Sequence, residues 1–192
     1  MSRRFRIAVC ASGGGGNFQA LLDARSAAGF DIVQLLTERE CGAIARAERA
    51  GVPVRRLEGK GSDEVSASLD LALAQDVALI VLAGFMPILS ASFCQKWAGR
   101  VINTHPSLLP KHGGKGMYGV KVQEAVLRDG DKEAGCSVHY VTADIDGGEV
   151  IAQQAIPVLA GESAWDLGGR VFLEENRLLV RAVTQIMKQR GY

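Results

Sequence analysis

The apolar and polar positions of this chain change rhythm along its length. Phe5-Arg6-Ile7-Ala8-Val9-Cys10-Ala11 is a short apolar run that breaks at Ser12-Gly13, as a buried strand does. Gly13 to Gly16 follow. Asn17 to Ala24 then carries apolar residues at 18, 21 and 22, the spacing of one helix face. Asp31 to Leu36 predicts the next strand. Gly42 to Ala50, rich in Ala, Arg and Glu, predicts a helix that Gly51 ends. Val52 to Leu57 predicts a third strand. Ser62 is the predicted N-cap of a helix to about Gln75, with Asp63 and Glu64 favourable to the dipole of its first turn. Ala78 to Ala83 is almost continuously apolar, the signature of a parallel strand covered on both faces. Gly84-Phe85-Met86-Pro87 ends it, and Ser90 is placed to cap a helix through Trp97. Arg100-Val101-Ile102 opens a further strand that runs into Asn103. Regular alternation of strand and helix predicts an α/β fold built on a doubly wound, mostly parallel sheet.

The rhythm changes after Gly135. Cys136 to Val141 alternates as a strand does, Asp144 to Gly148 is turn chemistry, and Val150 to Val158 is a second strand. The pair predicts an antiparallel hairpin extending the sheet. Glu162 to Gln189 reads as a long terminal helix with a weak point at Gly168-Gly169. No repeat, low-complexity stretch or linker interrupts residues 1–192, so a single domain is expected.

Composition narrows the classes of function. A net charge of +1 provides no electrostatic footprint for nucleic acid or an acidic membrane surface. The basic start, Met1 to Arg6, is followed by a strand-like run and not by a signal-peptide core. No apolar stretch reaches the roughly 18 residues of a membrane span. Cys10, Cys41, Cys94 and Cys136 are scattered and form no Cys-x-x-Cys pair, which predicts reduced thiols in a cytoplasmic protein. No His, Cys, Asp and Glu set has metal-ligand spacing, so no metal is expected.

Three places carry candidate chemistry. Ser12-Gly13-Gly14-Gly15-Gly16-Asn17 joins a strand to a helix and exposes backbone N–H groups at a helix N-terminus, which suits a phosphate. It lacks both the dinucleotide spacing and the Gly-Lys-Ser/Thr ending of a triphosphate loop, so a monophosphate is expected. Asn103 and His105, in Asn103-Thr104-His105-Pro106, are two apart on a strand and so share a face at its carboxyl end. An amide there can donate to a developing oxyanion, and an imidazole can move a proton near neutral pH. Asp146 lies in an Asp-Gly-Gly turn, and its local sequence reads first as ordinary turn chemistry. A carboxylate beside His105 would favour its charged form and hold its orientation. His139, inside an apolar strand, reads as a hydrogen-bonded structural residue, and Ser107 as a turn residue. The segment Lys111 to Gly119, which includes His112, reads as a glycine-rich basic loop, either a flap over the crevice or a solvated turn.

Taken together these residues resemble the glycinamide ribonucleotide transformylases, the folate-dependent phosphoribosylglycinamide formyltransferases of purine biosynthesis. The resemblance rests on Ser12 to Leu21, Leu82-Ala83-Gly84-Phe85-Met86, Asn103 to Pro110, and Ser137 to Val141 through Asp146-Gly147-Gly148. It implies a Rossmann-like formyltransferase fold and direct transfer of formyl from 10-formyltetrahydrofolate to a primary amine. Asn103, His105 and Asp146 would be the catalytic residues. Gly15, Gly16 and Asn17 would bind the substrate phosphate, and Glu175 the ribose. Met86, Pro87, Ile88 and Leu89, with Asn103, Val141, Asp144 and the backbone of 142–146, would line the folate pocket. Small-molecule substrates, no nucleic acid, no membrane and a monomer or homodimer complete the expectation. The chain departs from the family's usual residues at Pro87, where an arginine is usual, and at Lys60, Thr37-Glu38 and Asn176. These positions concern recognition. They leave open the same transfer to a different small amine. A reading of another class is a folate- or phosphate-binding module without catalysis.

Overall fold

A computed structural model describes residues 4–192; Met1 to Arg3 of the basic start lie outside the described residues. The strands are β1 (Phe5–Cys10), β2 (Phe30–Thr37), β3 (Val54–Arg56), β4 (Leu79–Leu82), β5 (Val101–His105), β6 (Glu133–Tyr140) and β7 (Val150–Pro157). The helices are α1 (Gly16–Ala28), α2 (Gly42–Arg49), α3 (Ser62–Ala72), α4 (Ala91–Lys96), α5 (Val120–Arg128) and α6 (Ala164–Gln189). One seven-stranded sheet runs in the order β3-β2-β1-β4-β5-β6-β7. The first five strands pair in parallel, and β5–β6 and β6–β7 pair antiparallel.

Two apolar cores explain the strand sequences. Ile7 and Val9 of β1, with Leu79 and Val81 of β4, join the core under α1 and α6. Their neighbours Ala8, Cys10, Ile80 and Leu82 join the core under α3 and α4. Side chains of a strand alternate faces, so a strand between two cores must be apolar at every position. β4 is buried at all of its positions for that reason. Burial pushes the Cys10 thiol above its ordinary range, with the Glu38 charge adding to the effect. The buried Cys136 thiol is pushed up to about 12 by burial and by Glu175 and Glu174. Both therefore stay protonated near neutrality, inert core side chains.

Several boundaries differ from the sequence expectations. Gly61 is the N-cap of α3, and Ser62 is its first helical residue. Ser90 does cap α4, accepting from the Phe93 N–H. The helix α5 is an element the sequence reading did not assign. Its inner face is Val122, Gln123, Ala125 and Val126, and the helix packs against α6. The terminal helix starts at Ala164, behind a capping box of Ser163 and Asp166. It runs unbroken through Gly168-Gly169, because buried Leu167, Val171, Leu178 and Leu179 offset the helix cost of about 1 kcal/mol per glycine.

The chain leaves β1 toward β2 on one side and later returns to place β4 on the other. The carboxyl ends of β1 and β4 thus flank the point where strand order reverses, which opens a crevice in doubly wound sheets. The turn after β1, the segment after β4 and the end of β5 all meet there.

Candidate active site

A cavity of about 480 Å³ opens at this crevice. Its wall includes Asn17, Met86, Pro87, Ile88, Leu89, Asn103, His105, Val141, Asp144, Asp146 and Glu175. These expected site residues therefore come together from the segment after β4, β5, α1, α6 and the β6–β7 connection. Gly15 and Gly16 are not wall residues; they form the turn immediately before Asn17.

Asn103 and His105 reach the cavity because β5 ends there. β6 runs antiparallel beside it, so Asn103 lies opposite His139 and His105 opposite Ser137. Asp146 arrives from the β6–β7 connection with φ of 56°, a left-handed conformation that Asp and Asn tolerate better than most residues. Its Oδ2 lies 3.5 Å from His105 Nδ1 and accepts the Gly114 N–H at 3.0 Å. Its Oδ1 lies 3.5 Å from His139 Nε2. The His105 and Asp146 side chains are 5% and 9% exposed. Burial opposes ionisation of Asp146. His139, the His105 charge and the Gly114 N–H outweigh it and hold the carboxyl below its ordinary range.

His139 belongs to this cluster, beyond the structural role read from the sequence. Its Nδ1 faces the Tyr140 carbonyl at 2.9 Å, and a carbonyl only accepts, so Nδ1 carries hydrogen. Its Nε2 then sits between Asn103 Nδ2, at 3.4 Å, and Asp146. The neutral ring accepts from Asn103 and orients the amide. A protonated ring donates to Asp146. The signal in sequence was the two-residue alternation of β6, which becomes informative only once its register against β5 is known.

The opposite wall carries a second polar group. Glu175 Oε1 accepts from Asn17 Nδ2 at 2.8 Å and from Thr104 Oγ1 at 3.0 Å. Burial raises the Glu175 carboxyl above its ordinary range, and these two bonds only partly offset that. Asn17 Oδ1 is buried without a hydrogen-bond partner among the described residues. Thr104 was not expected here. It projects to the face of β5 opposite Asn103 and His105 and so meets α6.

The glycine turn is shaped by close approach. Gly15 has φ of 74°, and a β-carbon there would lie 2.8 Å from Ala43 Cα. A β-carbon at Gly16 would lie 2.3 Å from the Phe172 ring. Arg46 braces the turn, donating from Nε to the Gly14 carbonyl at 2.8 Å. Ser12 Oγ donates to Glu38 Oε2 at 2.8 Å and accepts the Met86 N–H at the same distance, which ties the turn to the segment after β4.

The chemistry of this wall is an amide donor, an imidazole and a carboxylate facing a largely apolar cavity. Pockets of about 300–1,000 Å³ lined in this way take small organic ligands. The segment 111–119, read as flap or solvated turn, contributes Gly114 to Gly119 to the cavity wall.

Known proteins resemble this chain over nearly its whole length. The family model described as formyl transferase matches residues 5–183. A phosphoribosylglycinamide formyltransferase, chloroplastic, of Arabidopsis thaliana is 36% identical over 98% of this chain and 67% of its own length. The trifunctional purine biosynthetic protein adenosine-3 of Homo sapiens is 38% identical over 94% of this chain, which spans 18% of that protein. The crystal structure of glycinamide ribonucleotide transformylase 1 from Symbiobacterium toebii superposes with a TM-score of 0.90 at 33% identity, covering 99% of this chain and 91% of that one. With the family model spanning the whole described sheet and the residues of the cavity wall, the chain belongs to the formyl transferase family.

Proposed function

We propose that this chain transfers the formyl group of 10-formyltetrahydrofolate to the primary amine of glycinamide ribonucleotide, a step of purine biosynthesis. The observation that carries the reading is the convergence of Asn103, His105 and Asp146 on a cavity whose far wall holds the Asn17–Glu175 pair. The cavity's mixed lining supports folate as co-substrate. Met86, Ile88, Leu89 and Val141 provide apolar surface for a planar ring, while Asp144 and the 142–146 backbone provide polar edges. The turn at Gly15, Gly16 and Asn17 would hold the acceptor's phosphate on helix N–H groups. Glu175 would take a ribose hydroxyl, and the unpartnered Asn17 Oδ1 is an acceptor of the same kind.

In this reading the amine nitrogen attacks the formyl carbon, and the carbonyl oxygen becomes an oxyanion. Asn103 Nδ2 donates to that oxyanion. An oxyanion donor in a dry site contributes about 3–4 kcal/mol. The bond from the formyl carbon to the folate nitrogen then breaks. As the carbonyl re-forms, His105 passes a proton to the departing nitrogen and regains the one that the attacking amine releases, carried by the water beside Asp146, so the net proton count is unchanged. Asp146 stabilises the charged ring and organises water beside it. One domain carries all of these groups. The bound partners are small molecules, and the setting is the cytoplasm. Among the described residues no helix is long and apolar enough to cross a membrane.

A second reading keeps the transfer and changes the amine. Pro87 in the cavity wall and the apolar Phe172 ring packed against Gly16 favour it. One experiment separates the readings. Purified protein with 10-formyltetrahydrofolate is offered glycinamide ribonucleotide and a panel of other amines. Formylation of the ribonucleotide is expected. Formylation only of another amine supports the second reading, and no transfer to any amine with tight folate binding supports a binding module.

A further inference from the structure

The segment 111–114 touches both members of the proposed proton-transfer pair through its backbone. The His112 carbonyl lies 2.9 Å from His105 Nε2, and the Gly114 N–H reaches Asp146 Oδ2 at 3.0 Å. A carbonyl has no hydrogen to offer, so His105 Nε2 carries one in this arrangement. The loop carbonyl holds the ring at Nε2, and the doubly protonated ring also directs Nδ1–H toward Asp146, 3.5 Å away. A carbonyl can hold that hydrogen without taking it. The ring remains able to pass the proton to a better base that enters the cavity.

The position of this carbonyl depends on how residue 112 is held. His112 has φ of 55°, a conformation that side chains with a β-carbon rarely adopt without outside support. The support is its own imidazole. Nε2 lies 2.8 Å from Asp131 Oδ2, and Nδ1 lies 3.9 Å from Asp129 Oδ2. The His112 side chain is 6% exposed. Lys111 pairs with the other oxygen of Asp131, and Ser107 Oγ donates to the Lys111 carbonyl at 2.6 Å. Hydrogen bonds from Lys111 and then His112 hold the Asp131 carboxyl below its ordinary range. Gly113 leaves the segment no slack, because a β-carbon there would lie 2.6 Å from Leu109 Cδ2 and 3.4 Å from Asp146 Cβ.

We propose that His112 and Asp131 form a positioning clamp, which sets the loop carbonyl that orients the His105 ring for proton transfer. The clamp rests on the reading of His105 as the proton-transfer group. Neither clamp residue lies on the cavity wall. The clamp should therefore act on the chemical step and leave binding alone. A misplacement of about 1 Å in a reacting group costs up to roughly a hundredfold in rate.

The test uses His112→Gly, Asp131→Asn and the double variant in the full chain. Glycine keeps the left-handed backbone and removes the imidazole. Asparagine keeps the shape of Asp131 and removes its charge. Steady-state formyl transfer gives kcat and both KM values. A ¹⁵N-histidine-labelled sample reports the His105 Nε2–H resonance, assigned by its loss in His105→Asn. The expected result for His112→Gly is a kcat fall of about tenfold to a hundredfold, with both KM values within about twofold. The Nε2–H signal should weaken or shift. The double variant should be little worse than His112→Gly, as expected for two residues acting through one contact. Wild-type kcat in His112→Gly, or a lower Tm with kcat unchanged, overturns the clamp. If His112→Gly does not fold, Asp131→Asn decides, and an unchanged kcat and resonance overturn it. Full activity in His105→Asn would instead remove the catalytic reading beneath it. An inactive His105→Asn beside a wild-type-like His112→Gly removes the clamp alone.

Discussion

Asp146→Asn is the sharpest probe of the site, because asparagine keeps the shape and accepts the left-handed backbone that position 146 requires. The substitution removes a charge 3.5 Å from His105 Nδ1, between side chains that are nearly buried. Two unit charges at 3.5 Å interact by about 5 kcal/mol at an effective dielectric of about 20. Relaxation of neighbours and water recovers part of this. A net loss of about 2–3 kcal/mol when the ring is charged corresponds to roughly a 30- to 160-fold fall in kcat. The amide oxygen still accepts the Gly114 N–H, so the loop stays in place. KM for either substrate should change little. Stability provides a second readout. The Asp146 carboxyl titrates below its ordinary range in the folded protein. Such a group stabilises the fold above its unfolded pKa of about 3.9, and that contribution is lost as pH falls through the folded value. Asp146→Asn should therefore melt below wild type at neutral pH, with the gap closing in acid. A kcat within twofold of wild type, in a protein that folds, would refute the reasoning.

Three further outcomes are expected. Glu175→Gln should raise Tm at pH 8 and lose that advantage in acid, because burial raises the folded pKa of Glu175 and the wild type loses stability as pH rises through it. The same variant should raise KM for the ribonucleotide about tenfold, the value of one charged hydrogen bond; an unchanged KM removes Glu175 from acceptor binding. Gly16→Ala places a methyl 2.3 Å from the Phe172 ring, which is 41% exposed and can swing aside. A cost of about 1–3 kcal/mol and a distorted turn should appear as weaker binding of the phosphate-bearing amine; unaltered binding, measured by calorimetry, would separate the turn from the phosphate. Ile80→Ala empties a fully buried position between the sheet and α3–α4 and should cost about 2–5 kcal/mol in urea unfolding with a normal m-value; a loss under 1 kcal/mol would mean that this core is loosely packed.

Much of this was legible along the chain. β4, apolar at every position, and β1, apolar at all but Arg6, announced a sheet covered on both faces, because period-two alternation leaves little room for a polar group between two cores. Asn103 and His105 were legible as partners for the same reason: two residues apart on a strand must share a face. The helix α5 was not, since its short amphipathic run follows a glycine-rich loop and its burial depends on α6, which lies far along the chain. Glycines 168 and 169 read as a weak point in the terminal helix, and the helix runs through them because tertiary packing outweighs a local propensity.

The chain by itself determined the local chemistry: strand ends, turn glycines, caps, and which side chains carry an amide, an imidazole or a carboxylate. Only the tertiary structure decided how distant residues combine. Asp146 reads locally as turn chemistry, and becomes the partner of His105 because antiparallel β6 and its connection to β7 return the chain to the end of β5. His139 faces Asn103 through the β5–β6 register, and Glu175 meets Asn17 because α6 packs against α1. His112 reaches Asp131 only because α5 folds back between them. Such pairings depend on register and packing between elements. These are properties of how surfaces fit in space, and spacing along the chain does not encode them in any form that can be read residue by residue.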